Sequence, residues 1–204
     1  MQFVLASASP ARLTVLRQAG VDPVVRVSGV DEDAITASLP GASHQDLVTA
    51  LAEAKAEAVV DGVAAEFPDS VIVACDSMLS LNGDILGKPG TPERARQRWA
   101  DMGGNSGDLL TGHAVIRISG GQISGSVAGW ESTVVRFDKP TEEELEAYIA
   151  TGEPLSVAGA FTIDGRGGWF VESIDGNASS VIGISLPLTR RLLAEVGVRI
   201  NDIW

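Results

Sequence analysis

Apolar residues along this chain alternate between short unbroken runs and longer stretches of helical spacing. Residues 3–6, Phe-Val-Leu-Ala, predict a short strand, and Ser7 to Ser9 predict the turn behind it. Ser9 is placed to cap a helix, with Pro10 at its first position, where no backbone N–H is needed. Residues 24–27 predict a second strand, followed by an acidic turn at Asp31-Glu32-Asp33. Ser43, with Asp46 three residues on, opens a long helix in which Leu47, Leu51, Ala54 and Ala58 recur at helical spacing. Residues 71–75 are apolar without interruption, the pattern of a strand buried on both faces. Residues 78–81 and 84–86 flank Asn82-Gly83, a strong hairpin signal.

Thr91-Pro92 opens a helix that runs to about Met102, and two strands follow around Gly120-Gly121. Residues 132–137 predict a further, separate strand. Thr141 with Glu144 forms a capping box for a helix that stops at Gly152. Glycine-rich hairpins are expected over 158–184. Pro187 starts a final helix with Leu188, Leu192 and Leu193 on its apolar face. Together these predict an α/β or α+β fold: a mixed twisted sheet flanked by helices, with two lobes and a central cleft. No repeat or linker divides residues 1–204, so one domain is expected.

Composition narrows the classes. At 45% hydrophobic and 21% charged, the chain resembles an ordinary globular protein, and no apolar run reaches membrane-spanning length. The first residues lack the pattern of a secretory signal, which points to a cytoplasmic location. Cys75 is the one cysteine and lies within the buried run, so an inert thiol is expected. With 15 basic against 27 acidic residues the net charge is −12, which disfavours nucleic acid and anionic membranes as partners. The same charge would repel a polyphosphate, unless cations converge locally or a divalent metal intervenes.

Several polar residues interrupt this framework. The Ser7–Ser9 turn directs backbone N–H groups and a helix N-terminus at one spot, with Arg12 a turn further in, which suits an anion. Asp76 follows the buried run, where open α/β sheets bind ligands, and an Asx-turn is the plainer alternative. Lys55 sits on the long helix among small apolar residues, where a snorkelling surface lysine is the favoured reading. Lys88, between Gly87 and Pro89, is held on a tight loop and suits a phosphate, with a solvated lysine nearly as good an account. Glu32 offers a hard oxygen for a metal, though acidic runs are commonly solvated turns. There is no P-loop and no dinucleotide fingerprint. His44 and His113 are too few for a zinc cluster, and Ser7, Ser9 and Ser77 have no evident histidine partner.

Taken in order, nine segments resemble the Maf family of nucleoside triphosphate pyrophosphatases. They are Leu5-Ala-Ser-Ala-Ser-Pro-Ala-Arg12, Val30-Asp-Glu32, Ala54-Lys55-Ala56, Asp76-Ser77, Gly87-Lys88-Pro89, Thr111-Gly112, Tyr148-Ile-Ala-Thr-Gly-Glu153, Ala158-Gly-Ala-Phe161 and Val181-Ile-Gly-Ile-Ser-Leu-Pro187. The resemblance implies a Maf/Ham1-like fold and hydrolysis between the α- and β-phosphates of a nucleoside triphosphate. It implies a divalent cation, magnesium or alternatively manganese, and a homodimer. It makes Asp76 the general base and a metal ligand with Glu32, and makes Lys55 and Lys88 catalytic cations. Arg12, Ser7, Ser9 and Ser77 would line the substrate. The family is also linked to inhibition of septum formation, so a nucleotide-binding regulator of division is the alternative.

Two positions depart from the commonest family pattern. Ala11 stands where many members carry a first arginine, and Asp164 stands where many carry glutamine. An ionised carboxylate only accepts hydrogen bonds, which favours a donor-rich base edge such as that of guanine, or 7-methyl-GTP, over uracil and thymine. Trp169 and Phe161 offer stacking surfaces, with core packing the alternative for both.

Overall fold

The computed structural model describes all 204 residues. Its strands are β1 (Gln2–Leu5), β2 (Val24–Val25), β3 (Asp69–Leu81), β4 (Asp84–Leu86), β5 (Ser106–Ser119), β6 (Gln122–Phe137) and β7 (Val171–Asp175). Its helices are α1 (Pro10–Gln18), α2 (Glu32–Ser38), α3 (His44–Glu57), α4 (Val60–Glu66), α5 (Pro92–Met102), α6 (Glu142–Ala150), α7 (Ala178–Ile182) and α8 (Leu186–Glu195). The strands form one sheet in the order β2-β1-β3-β5-β6-β7, with β4 beside β3. β1 pairs in parallel with β2 and β3, whereas β3/β4 and β6/β7 are antiparallel, so the sheet is mixed and the fold α/β as expected.

The local signals hold well. Ser9, Ser43, Thr91, Thr141 and Ser185 each accept a helix-opening amide, and the Thr141–Glu144 capping box is complete. Asn82 and Gly83 both have positive φ, as a two-residue type I′ hairpin turn requires, and Leu81 pairs with Asp84.

Four expectations are corrected. Asp31-Glu32-Asp33 is a helix start and no solvated turn: the Asp31 carboxylate accepts the Ala34 amide at 2.9 Å and α2 follows. β3 runs unbroken from Asp69 through Asp76 to Leu81, paired with β1 as far as Val73 and with β4 from Leu79, and it also neighbours β5. Residues 132–137 are the last six residues of one 16-residue strand, β6. Residues 158–184 form two short 3₁₀ segments, Ala158–Ala160 and Arg166–Phe170, one strand and a short helix in place of hairpins.

The chain divides into two compact units. The first comprises Met1–Asp76, Thr111–Glu131 and Gly183–Trp204, and the second Ser77–Leu110 and Ser132–Ile182. Each has its own core. In the first, Val4, Ile72, Ala74, Ala114 and Ile116 pack against Ala52 and Ala56 of α3. Small residues there let helix and sheet approach closely, and Gly112 of β5 abuts the α3 backbone at Val48–Thr49. The second core gathers half of the chain's few aromatics: Trp99 meets Phe137, Tyr148 and Phe170 in edge-on pairs, and Phe137 meets Phe161. Phe161 is therefore core, while Trp169 is 85% exposed.

Candidate active site

Lys55 is the residue whose surroundings differ most from the plain reading of its sequence. It is buried near the end of α3, not snorkelled to solvent, and its ammonium lies 2.5 Å from Asp76 Oδ1 and 2.8 Å from Glu32 Oε1. The close seating of α3 explains the burial. Ala52 and Ala56 on either side are fully buried, so the lysine between them is carried inward. A buried ammonium is tolerated only beside anions, and here it has two. Asp76 is 5% exposed, and its second oxygen, Oδ2, is buried without a hydrogen-bond partner. Glu32 is the wetter partner, with 45% of its side chain exposed, and is brought in by the first turn of α2.

Around the N-terminal turn a second group assembles. Ser9 caps α1, and its own amide donates to Ser7 Oγ at 3.1 Å. Arg12 donates through Nη1 to the same Ser7 oxygen at 3.1 Å and through Nε to the Gly183 carbonyl at 2.7 Å. The turn and the arginine thus meet as the sequence suggested. Cys75 is buried in β3 directly before Asp76. Burial pushes its thiol up to about 12; Arg12 and Lys55 oppose that rise, while Asp76 adds to it. All three charges act on one spot, and the thiol itself is inert.

The other sequence candidates lie in the second unit. Ser77 follows Asp76 on β3 and is half-buried. Lys88 is exposed on the loop between β4 and α5. That loop is pinned: the Gly87 carbonyl accepts the Gly159 amide at 3.1 Å, and Gly90 donates to the Leu155 carbonyl at 3.0 Å. Asp164 is exposed on the loop after Phe161.

Two organising residues escaped the sequence reading. Glu153 accepts the Thr162 hydroxyl at 2.6 Å and the amides of Arg166 and Gly167 at 3.1 and 3.0 Å, so it ties down the loop that carries Asp164. Partial burial would raise its pKa, but those donors outweigh burial and hold the carboxyl below its usual range. His113 is fully buried and accepts the Ser185 amide. Glu153 lay within a quoted family segment, which was its one visible signal; nothing in the spacing of His113 marked it.

A family profile described as Maf-like protein matches residues 2–196, nearly the whole chain. The chain belongs to the Maf family. Its relatives in that family include a protein of Saccharopolyspora erythraea, 64% identical, covering 100% of this chain and 97% of that protein. A Rhodococcus erythropolis protein is 59% identical (100% and 96%), and one from Mycolicibacterium gilvum 52% (100% and 98%). All three are named nucleoside triphosphate pyrophosphatase. Among solved structures, the Staphylococcus aureus Ham1 protein aligns with 100% of this Maf-family chain and 93% of its own at 10% identity and TM-score 0.39.

Proposed function

We propose that this chain is a nucleoside triphosphate pyrophosphatase that cleaves between the α- and β-phosphates to release a nucleoside monophosphate and pyrophosphate. The observation that carries the reading is Asp76: a buried carboxylate with one oxygen on Lys55 and the other unpartnered. An oriented carboxylate with a spare oxygen suits a water that must lose its proton to attack phosphorus. Attack at a phosphoryl centre needs positioning and charge neutralisation more than covalent help. Arg12 supplies local positive charge against the −12 background, with Ser7 and Ser9 lining the turn, while Lys55 offsets part of the Asp76 and Glu32 charge. For Lys88 and Ser77 the family motif is the support. The named function of relatives at 52–64% identity over the full chain agrees with this chemistry.

A divalent cation fits the residues present. The Asp76 carboxylate, through Oδ1, and the half-exposed Glu32 carboxylate meet at the same ammonium and are hard oxygen donors, so these two residues would hold it. When bound, the cation would neutralise phosphate charge; we propose magnesium, which takes a few carboxylates and keeps its remaining places for phosphate and water. Asp164, on a loop fixed by Glu153, is our candidate for reading the base, with a preference for guanine or 7-methylguanine over uracil and thymine. A homodimer and a cytoplasmic location rest on the family resemblance and on composition; sedimentation tests the first.

Pyrophosphate release across dTTP, UTP, CTP, GTP and 7-methyl-GTP tests the reading, with Asp76→Asn alongside. Turnover is expected to fall by roughly 10²–10⁴ in the variant while nucleotide binding persists. Full turnover in folded Asp76→Asn removes Asp76 from the mechanism, and a parent that binds every nucleotide but cleaves none favours the regulatory alternative.

A further inference from the structure

His113 is a buried ionisable group that the proposed reaction does not use. Its Nδ1 lies 3.1 Å from the Thr111 carbonyl, which requires the proton on that nitrogen. Nε2 is then an acceptor, and it takes the Ser185 amide at 2.8 Å. Ser185 is the N-cap of α8, and its hydroxyl accepts the Leu188 amide at 3.1 Å, so the turn entering the helix is anchored to β5. Two residues before Ser185 stands Gly183, whose carbonyl accepts Arg12 Nε at 2.7 Å. Gly183 has φ 127°, a conformation L side chains rarely adopt, and a Cβ there would stand 3.0 Å from Arg12 Nε. The contacts therefore run without a gap from the imidazole to Ser185, back along the turn to Gly183, and on to the guanidinium.

We propose that His113 is a positioning residue for Arg12, holding the 183–185 turn so that the guanidinium is seated before a phosphate arrives. The proposal rests on the reading of Arg12 as a phosphate ligand. A long arginine side chain loses rotamer freedom when it is held in one geometry. Seating it in advance removes that cost from ligand binding. The imidazole is suited to the task at neutral pH, since burial and the Arg12 charge press it toward the neutral, accepting form, against the Thr111 hydrogen bond.

The test is a double-mutant cycle read by the affinity for inorganic pyrophosphate, by calorimetry, and by steady-state constants with a nucleoside triphosphate. His113→Leu is expected to weaken pyrophosphate binding and raise KM by about tenfold, with kcat little changed. His113→Gln, which can present an acceptor to Ser185, should restore most of the loss. In an Arg12→Ala background the leucine substitution should add nothing further. Equal losses in both backgrounds would overturn the proposal. So would a folded His113→Gln as impaired as the leucine variant, or an Arg12→Ala that binds pyrophosphate like the parent. If His113→Leu does not fold, His113→Asn replaces it, being too short to reach Ser185. A parent that binds pyrophosphate yet cleaves no nucleotide defeats the functional reading alone, because the binding cycle still measures the coupling.

Discussion

Replacing Gly112 with alanine links the packing of the first unit to its chemistry. Gly112 lies in β5, and a Cβ there would sit 2.6 Å from the Thr49 nitrogen and closer still to the Val48 carbonyl. Both are backbone atoms of α3, so no side chain can swing aside. Strand and helix must separate by about 1 Å in an interior packed at crystal-like density. Overpacking of this kind costs about 3 kcal/mol. With a urea slope of about 2–3 kcal/mol per M, the unfolding midpoint should fall by roughly 1 M. Lys55 lies about two turns along α3 from the clash and is gripped there by Asp76 and Glu32. A shift of that size should also lower turnover by about tenfold to a hundredfold in protein that is still folded. Gly62 in α4 is the control: a Cβ there meets nothing within 4 Å, and alanine should stabilise by about 0.5 kcal/mol. A Gly112→Ala protein with an unchanged urea midpoint would refute the packing argument. One that is destabilised yet fully active would refute the link to Lys55.

Further predictions follow from the buried groups. His113 is pushed down to about 4, chiefly by burial, from an ordinary 6.5. The unfolded chain therefore binds the extra proton between pH 6.5 and 4 while the folded chain does not, so stability falls as pH falls through that window. About 3 kcal/mol of this fall traces to His113, and urea titrations at several pH values should show that share missing in His113→Gln. Lys55→Met strands the buried Asp76 carboxylate and should cost about 3–5 kcal/mol, whereas Glu32→Gln, at the wet end, should cost under about 1 kcal/mol; equal midpoints for the two variants would contradict this. Glu153→Gln leaves donors on Thr162, Arg166 and Gly167 partly unmet, so the Arg166 and Gly167 amides should exchange with deuterium faster. Asp164→Gln should move the preference from guanine toward uracil and thymine, measured as kcat/KM ratios; an unchanged rank order removes Asp164 from base selection.

Those predictions divide by how far apart in sequence their partners lie, and so does what could be read without a structure. Caps such as Ser9, Thr91 and Thr141, the Asn82-Gly83 turn and the buried run ending at Cys75 were legible because each is decided within a few residues. The family segments also named Lys55, Asp76, Glu32 and Arg12, but as a set without contacts. Only the tertiary structure decided that Lys55 is buried, since that depends on Ala52 and Ala56 meeting the sheet and on Asp76 arriving from 21 residues away. It alone carried β3 past Asp76, in one strand from Asp69 to Leu81 that pairs with β1 before that residue and with β4 after it. It alone joined Arg12 to Gly183 and His113 to Ser185, partners 171 and 72 residues apart. Sequence periodicity reports which face of an element is apolar, whereas a buried polar pair is set by where two distant backbones meet. The chain thus declares its elements and its chemical kinds locally, and the pairing of a charge with its partner is decided when strand and helix close over it.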